Sequence, residues 1–128
     1  MNKLSWKDFE DFIYNISKKC KHKSFVGVYG FPRGGLCIAV ALSHSLDIPL
    51  LQEPTNYSLI VDDIYETGYT LEKIRNLIGI ETHVWVSKKK ATWWNAHKYY
   101  KEEEWIIFPW EKISNAENDK TSYYQSRK

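Results

Sequence analysis

The sequence predicts a single α/β domain with a mostly parallel five-stranded sheet flanked by helices. One observation is alternation, because strand-like apolar segments are separated by segments of helical periodicity. Another is length, because 128 residues are enough to bury one hydrophobic core without disulfide or metal support. Residues 1–111 are expected to form this domain, and the polar residues 112–128 a C-terminal tail with a mobile end.

The helices are predicted from caps and apolar periodicity. Ser5 can cap a first helix, because Asp8 completes a capping box and apolar side chains then recur at helical spacing. An apolar helix is predicted over residues 36–46. A third helix is predicted over residues 70–79, ending at Gly79.

The strands are predicted from short apolar runs bounded by turn residues. They are expected at residues 25–31, 48–51, 57–64, 82–88 and 105–110. The aromatic segment 91–101 is expected to be irregular, with a short strand near Tyr99. In an open parallel sheet, ligands bind beyond the carboxyl ends of the strands, so the residues at those ends are the first candidates for function.

Composition excludes several classes of function. The net charge of +2 is too small for a nucleic-acid or membrane-binding surface, and no apolar run is long enough to cross a bilayer. Cys20 and Cys37 lack the spacing of a metal site, and His22, His83 and His97 show no ligand spacing either. We therefore expect a cytoplasmic protein with two free thiols, the alternative being one disulfide.

A cluster of acids begins at the end of the predicted strand at 57–64. The run "LIVDDIYETGYT" places Asp62 and Asp63 at the strand end, with Glu66 and a Thr-Gly-x-Thr turn close behind. Paired carboxylates can hold a divalent cation or a diol, and a glycine turn leading into a helix suits a phosphate. An alternative in which the aspartates merely cap the next turn leaves the rest of the pattern unexplained.

A second glycine turn, "GFPRGGL", also lies after a strand and before a helix. Its glycines can expose consecutive amides to an anion, and Arg33 adds a positive charge. The turn alone is common in proteins, but two phosphate-type turns on neighbouring strands are more specific. Together they predict a ligand with phosphates at both ends and a sugar between them.

These motifs resemble the type I phosphoribosyltransferase family. "VDDIYETGYT" resembles the family signature, in which two acids precede an acid and Thr-Gly-x-Thr. "GFPRGGLCIAVALSHSLDIPL" resembles the pyrophosphate loop and helix of the 6-oxopurine branch, and "EWIIFPWE" the base-binding end of the xanthine-guanine enzymes. The resemblance covers about residues 4–111 and implies Mg²⁺-dependent transfer of a 5-phosphoribosyl group from phosphoribosyl pyrophosphate to a 6-oxopurine, with release of pyrophosphate, in a dimer or tetramer.

The resemblance also implies a role for each motif residue. Asp62 and Asp63 would hold the ribose hydroxyls and Mg²⁺, and Glu66, where the family more often has aspartate, would be the general base. The substrate-binding set would be Arg33, Gly34 and Gly35 for pyrophosphate, across a peptide bond that is often cis; Thr67, Gly68, Tyr69 and Thr70 with Glu66 for the 5′-phosphate; and Lys88, Trp105 and the Ile106 backbone for the base. A solvated strand end at Lys88 and an ordinary core position for Trp105 are the alternatives.

One segment departs from the family pattern. The family inserts a hairpin and a long mobile loop before the strand that carries the aspartates, whereas "LLQEPTNYSL" here is short, so we expect a reduced hood and no closing loop. A neighbouring subunit or residues 91–101 would then cover the site, or the enzyme would work slowly with an open site. Two further alternatives are a non-catalytic regulatory module that binds nucleotide or phosphoribosyl pyrophosphate, and a generic Rossmann-like domain.

Overall fold

The computed structural model describes residues 2–126 of the chain. The elements are, in chain order, β1 (Asn2–Lys3), α1 (Trp6–Cys20), β2 (Val28–Gly30), α2 (Gly34–Leu46), β3 (Leu59–Tyr65), α3 (Tyr69–Glu72), β4 (Glu81–Ser87), β5 (Asn95–Tyr99), β6 (Ile106–Ile107) and α4 (Ile113–Ser126). Within residues 2–126, no helix is both long and apolar enough to cross a bilayer.

The predicted α/β class is confirmed, with the strands divided between two sheets. A parallel four-stranded sheet has the order β2-β3-β4-β5, and Leu50 adds a single parallel bridge beside Val28. β6, from the predicted strand at 105–110, pairs instead with β1 in a parallel two-stranded sheet. The short strand expected near Tyr99 is β5, which takes the edge position beside β4. Sequence periodicity did not predict this division, because strand pairing depends on distant contacts.

The first helix begins as its capping residues predict. The Asp8 N–H donates to the Ser5 hydroxyl at 3.0 Å, and the Ser5 N–H donates to the Asp8 carboxylate at 2.8 Å. The helix buries Phe12, Ile16 and Cys20 along one stripe. This apolar stripe anchors α1 to the domain, since a helix of this length gains most of its stability from packing.

An aromatic cluster joins α1, β4 and the segment at 105–110. Phe12 stacks on Trp85 with ring centroids 5.2 Å apart, and Phe108 lies 5.7 Å from the same indole. Phe108 in turn stacks on Trp110 at 5.3 Å. The residues after β6 are therefore held by the core of the domain, which fixes the neighbouring Trp105 and Ile106 relative to the sheet.

Two predicted segments differ in the structure. The helix expected over 70–79 is α-helical only at Tyr69–Glu72, and the chain then continues as turns in which the Leu77 N–H donates to the Ile74 carbonyl. The Asn56 side chain accepts the Ile78 N–H at 2.9 Å, and Gly79 has a φ of 67°, so the segment still ends at the predicted glycine.

The polar C-terminal segment also differs from the predicted tail. The structure forms α4 there, although the sequence shows no helical periodicity. A largely polar helix carries no apolar stripe, so periodicity has no signal to detect. The domain boundary at residue 111 and the mobility of the end stay predictions.

Candidate active site

Two adjoining clefts lie at the carboxyl ends of β3 and β4. The first, with a volume of about 650 Å³, contains seven predicted site residues: Arg33, Gly34, Asp63, Glu66, Lys88, Trp105 and Ile106. The second, of about 600 Å³, contains Gly34, Asp62, Asp63, Glu66, Thr67, Gly68 and Thr70. Gly34, Asp63 and Glu66 line both clefts, so the two form one groove. Residues from three separate motifs therefore meet along one sheet edge.

The paired aspartates are the electrostatic centre of this groove. Asp62 is buried within β3, three residues before the strand ends at Tyr65, and the Asp63 N–H donates to the Asp62 Oδ1 at 2.9 Å. Burial raises the pKa of both carboxyls, and the charge of Asp63 raises that of Asp62 further. Two carboxylates in such a place need a compensating cation, and hard oxygen donors fit Mg²⁺.

Gly34 is required by the position of Asp63. A Cβ at residue 34 would lie 1.8 Å from Asp63 Oδ2 and 2.3 Å from Cγ, well inside contact distance. The preceding peptide bond, Pro32–Arg33, is cis, as the resemblance implies. Arg33 and Gly34 thereby bring the start of α2 against the acid pair.

Gly35 has a different role from the one predicted. It is buried, its N–H donates to the Phe31 carbonyl at 2.8 Å, and it lines neither cleft. A Cβ there would lie 2.8 Å from the Val61 carbonyl oxygen. Gly35 therefore allows α2 to approach β3, and its amide is not directed at a pyrophosphate.

The turn after β3 keeps a glycine-dependent shape. Gly68 has a φ of 88°, and a Cβ there would lie 2.4 Å from the Tyr65 hydroxyl. Thr67, Gly68 and Thr70 line the second cleft, whereas the Tyr69 side chain is 78 % exposed and lines neither. α3 has only four residues, so the expected help from a helix dipole is small. The cleft-facing groups of this turn are hydroxyls and backbone.

Lys88 is bound to the loop that precedes the predicted base-binding segment. Its ammonium donates to the carbonyls of Lys101 at 2.8 Å, Glu102 at 3.3 Å and, closely, Glu104. The side chain is half-buried and lines the first cleft, so it is not a solvated strand end. An ammonium has three protons, so a contact with a purine oxygen would replace one of these bonds.

We expect Lys88→Met to loosen this loop. Losing a charge-assisted clamp on the carbonyls of this largely exposed loop should lower the free energy of unfolding by about 0.5–1.5 kcal/mol. Urea denaturation of this variant beside Lys89→Met, at an exposed neighbouring lysine, measures the difference. Equal stability of the two variants would contradict the clamp.

Trp105 and Ile106 lie in the same cleft as Lys88. The Trp105 carbonyl accepts the Asn2 N–H, and the Ile107 carbonyl accepts the Leu4 N–H, each at 2.9 Å. Because a parallel ladder uses alternate residues, the backbone N–H and C=O of Ile106 point away from β1. These two groups take no part in the pairing with β1, and Ile106 lines the first cleft.

Several charged residues of the groove were missed by sequence reasoning, among them Glu111 and Lys73. Glu111 accepts the Phe108 N–H at 2.9 Å and lines the first cleft, and burial raises its pKa. Lys73 lines the second cleft beside the Thr-Gly-x-Thr turn. In the sequence, Glu111 could have been found from its position directly after the predicted base-binding segment. Lys73 could have been found from its position one helical turn after Thr70.

The short connection before β3 does not reach the groove. The Tyr57 N–H donates to the Ile78 carbonyl, and the Tyr57 carbonyl accepts the Val26 N–H. The segment at 91–96 does not cover the groove either. Trp94 stacks on Tyr65 with ring centroids 3.8 Å apart, and it lines neither cleft. α4 does border the first cleft, through Asn115 and Asp119.

The fold and this groove define the class of the protein, an α/β domain with the type I phosphoribosyltransferase fold. A purine phosphoribosyltransferase from Pyrococcus horikoshii is similar over 88 % of this chain and 94 % of its own, with 26 % identity and a TM-score of 0.74. The xanthine-guanine-hypoxanthine phosphoribosyltransferase of Helicobacter pylori has 19 % identity, coverage of 92 % and 98 %, and a TM-score of 0.68.

A hypothetical protein from Neisseria gonorrhoeae with bound ppGpp is similar in fold as well. It has 14 % identity, coverage of 94 % of this chain and 97 % of its own, and a TM-score of 0.65. No protein-family model and no curated protein matches the sequence. The likeness is therefore carried by the three-dimensional structure and by the short motifs at the sheet edge.

Proposed function

We propose that the protein transfers a 5-phosphoribosyl group from phosphoribosyl pyrophosphate to a 6-oxopurine and releases pyrophosphate. The observation that carries the proposal is the groove itself, in which the aspartate pair lies between the Thr-Gly-x-Thr turn and the Lys88–Trp105–Ile106 end. The similarity to a purine phosphoribosyltransferase at 26 % identity supports the same substrate class.

The two clefts of the groove suit different parts of the substrates. The second cleft, with Thr67, Gly68, Thr70 and Lys73, offers donors and positive charge to a 5′-phosphate. The first cleft offers Arg33 to the pyrophosphate and the indole of Trp105 to a base. A purine nucleotide would thus span the aspartates, which would bind the ribose hydroxyls.

The chemistry places charge where the groove can stabilise it. When the bond from C1′ to the pyrophosphate oxygen breaks, negative charge grows on the leaving group and the ribose becomes cationic. Arg33 lies on the leaving-group side, and the carboxylates lie beside the sugar, so both charges meet a fixed partner. Mg²⁺ held by Asp62 and Asp63 would neutralise the pyrophosphate oxygens.

Glu66 would serve as the base that takes the proton from the purine ring nitrogen. It lies in the part of the groove shared by both clefts, between the sugar side and the base side. A general base contributes typically about 10²–10⁴-fold to a rate, so Glu66→Gln should retain substrate binding and lose turnover.

The assay offers the protein phosphoribosyl pyrophosphate, Mg²⁺ and hypoxanthine, guanine or xanthine in parallel, with nucleotide detected by chromatography. We expect a nucleotide from at least one base, and none when the metal is chelated. Absence of product from every base would overturn the proposed transfer. The predicted dimer or tetramer and the cytoplasmic location stay predictions.

A second candidate is a regulatory module that binds a phosphorylated nucleotide without turnover. It is favoured by the short connection before β3, which leaves no closing loop over the groove, and by the similar Neisseria protein with bound ppGpp. Calorimetry separates the two functions. Tight binding of phosphoribosyl pyrophosphate or ppGpp that Glu66→Gln does not change, without turnover by the wild-type protein, would favour the module.

A further inference from the structure

A second cluster of chemically reactive side chains lies at the opposite edge of the sheet. Cys20 ends α1, Glu81 begins β4, and His83 follows two residues later. Their ligand atoms lie within 4.8 Å of one another. The groove is at the carboxyl ends of the strands, whereas this cluster is at the amino end of β4, so it is a separate site.

The three side chains converge on one oxygen. Cys20 Sγ is 3.3 Å from Glu81 Oε2, and His83 Nε2 is 2.7 Å from the same atom. Cys20 and His83 are 1 % and 2 % exposed, so thiol and imidazole are removed from water. Lys23 pairs with the other carboxylate oxygen, which leaves Oε2 facing the thiol and the imidazole.

We propose that Cys20, Glu81 and His83 bind a divalent ion of the Zn²⁺ class. One sulfur, one nitrogen and one oxygen donor suit this borderline ion and not Mg²⁺, which prefers oxygen alone. Bond lengths of about 2.0–2.3 Å separate tetrahedral ligands by roughly 3.3–3.7 Å. The Glu81 carboxylate must therefore move away from His83 by less than about 1 Å, which its flexible side chain allows, and the fourth position is left for water.

His97 completes the site from β5. Its Nε2 lies 3.1 Å from His83 Nδ1, and its ring packs edge-on against Phe12. When His83 binds a metal through Nε2, its Nδ1–H can donate to His97, which is the usual way a ligand histidine is oriented. The ion would tie α1 to β4 and β5 at this end of the domain, a structural role independent of catalysis.

The test uses the full chain freed of metal by chelation and then titrated with Co²⁺. We expect one equivalent to produce thiolate-to-cobalt charge transfer and tetrahedral d–d absorption, both removed by added Zn²⁺. Cys20→Ser should abolish the charge-transfer band, and the matched control Cys37→Ser, at the half-buried cysteine of α2, should keep it. A band that survives in Cys20→Ser, or no band in the wild-type protein, would overturn the site.

Two further measurements remain decisive if Cys20→Ser folds poorly. His97→Phe keeps an aromatic ring against Phe12 and removes the acceptor for the His83 Nδ1–H, so it should weaken Zn²⁺ binding by about 10–100-fold, measured by competition with a chelating dye. X-ray absorption at the zinc edge of the wild-type protein should show one sulfur among nitrogen and oxygen ligands. An all-oxygen shell, or affinity unchanged by His97→Phe, would count against the proposal.

Discussion

Replacing Asp62 with asparagine is expected to lower kcat/KM for phosphoribosyl transfer by about 10²–10³-fold while raising the free energy of unfolding by about 1–2 kcal/mol near pH 8. The activity falls because one of the two carboxylates proposed to hold the sugar and the metal is lost. Stability rises because burial, with help from Asp63, holds the pKa of Asp62 above its usual 3.8, so ionising it opposes folding.

The sign of this effect follows from proton binding. A carboxyl whose pKa is higher in the folded than in the unfolded state favours folding at low pH and loses that advantage as the pH rises. The wild-type protein should therefore lose stability progressively above about pH 4, and Asp62→Asn should lose less. Both are compared by urea unfolding in EDTA at several pH values.

The matched control is Asp47→Asn. Asp47 is exposed at the C-terminal end of α2, away from the groove, in a left-handed conformation that asparagine also adopts readily. It should change neither activity nor the pH dependence. An Asp62→Asn protein that is less stable than wild type near pH 8 would show that a bound partner already compensates the acid pair.

Replacing Gly34 with alanine is expected to weaken binding of Mg²⁺ and phosphoribosyl pyrophosphate on the order of 100-fold and to cost about 1–3 kcal/mol of stability. The new Cβ would lie 1.8 Å from Asp63 Oδ2, so the carboxylate must leave its place between the two clefts. Calorimetry measures the affinity, and thermal unfolding measures the stability.

A double variant identifies the cause. Combining Gly34→Ala with Asp63→Ala removes the carboxylate that would clash with the new Cβ. Stability should therefore recover by about 0.5–3 kcal/mol, while ligand binding stays lost. Gly79→Ala is the contrasting control, because its φ of 67° makes alanine costly for folding at a site outside the groove. A Gly34→Ala protein with wild-type affinity would contradict the close contact with Asp63.

The limits of sequence reasoning are visible in particular residues. Lys88 could be assigned to the base-binding end, but its bonds to the carbonyls of Lys101, Glu102 and Glu104 connect residues 13 to 16 positions apart through a loop without periodicity. His83 showed no ligand spacing, because its partner Cys20 comes from another element and meets it only after α1 packs on the sheet.

The amino-acid sequence by itself determined the α/β class, the capped first helix, the acid pair carried by β3 and the two glycine turns beside it. Each of these depends on residues close together in the chain, whose conformational preferences act locally. Tertiary structure decided which strands share a sheet, that Gly35 supports packing, that Glu111 and Lys73 enter the groove, and that a thiol, a carboxylate and an imidazole meet at the far edge. These depend on contacts between distant segments, and only the packing of the whole domain selects among the many contacts that a local pattern permits.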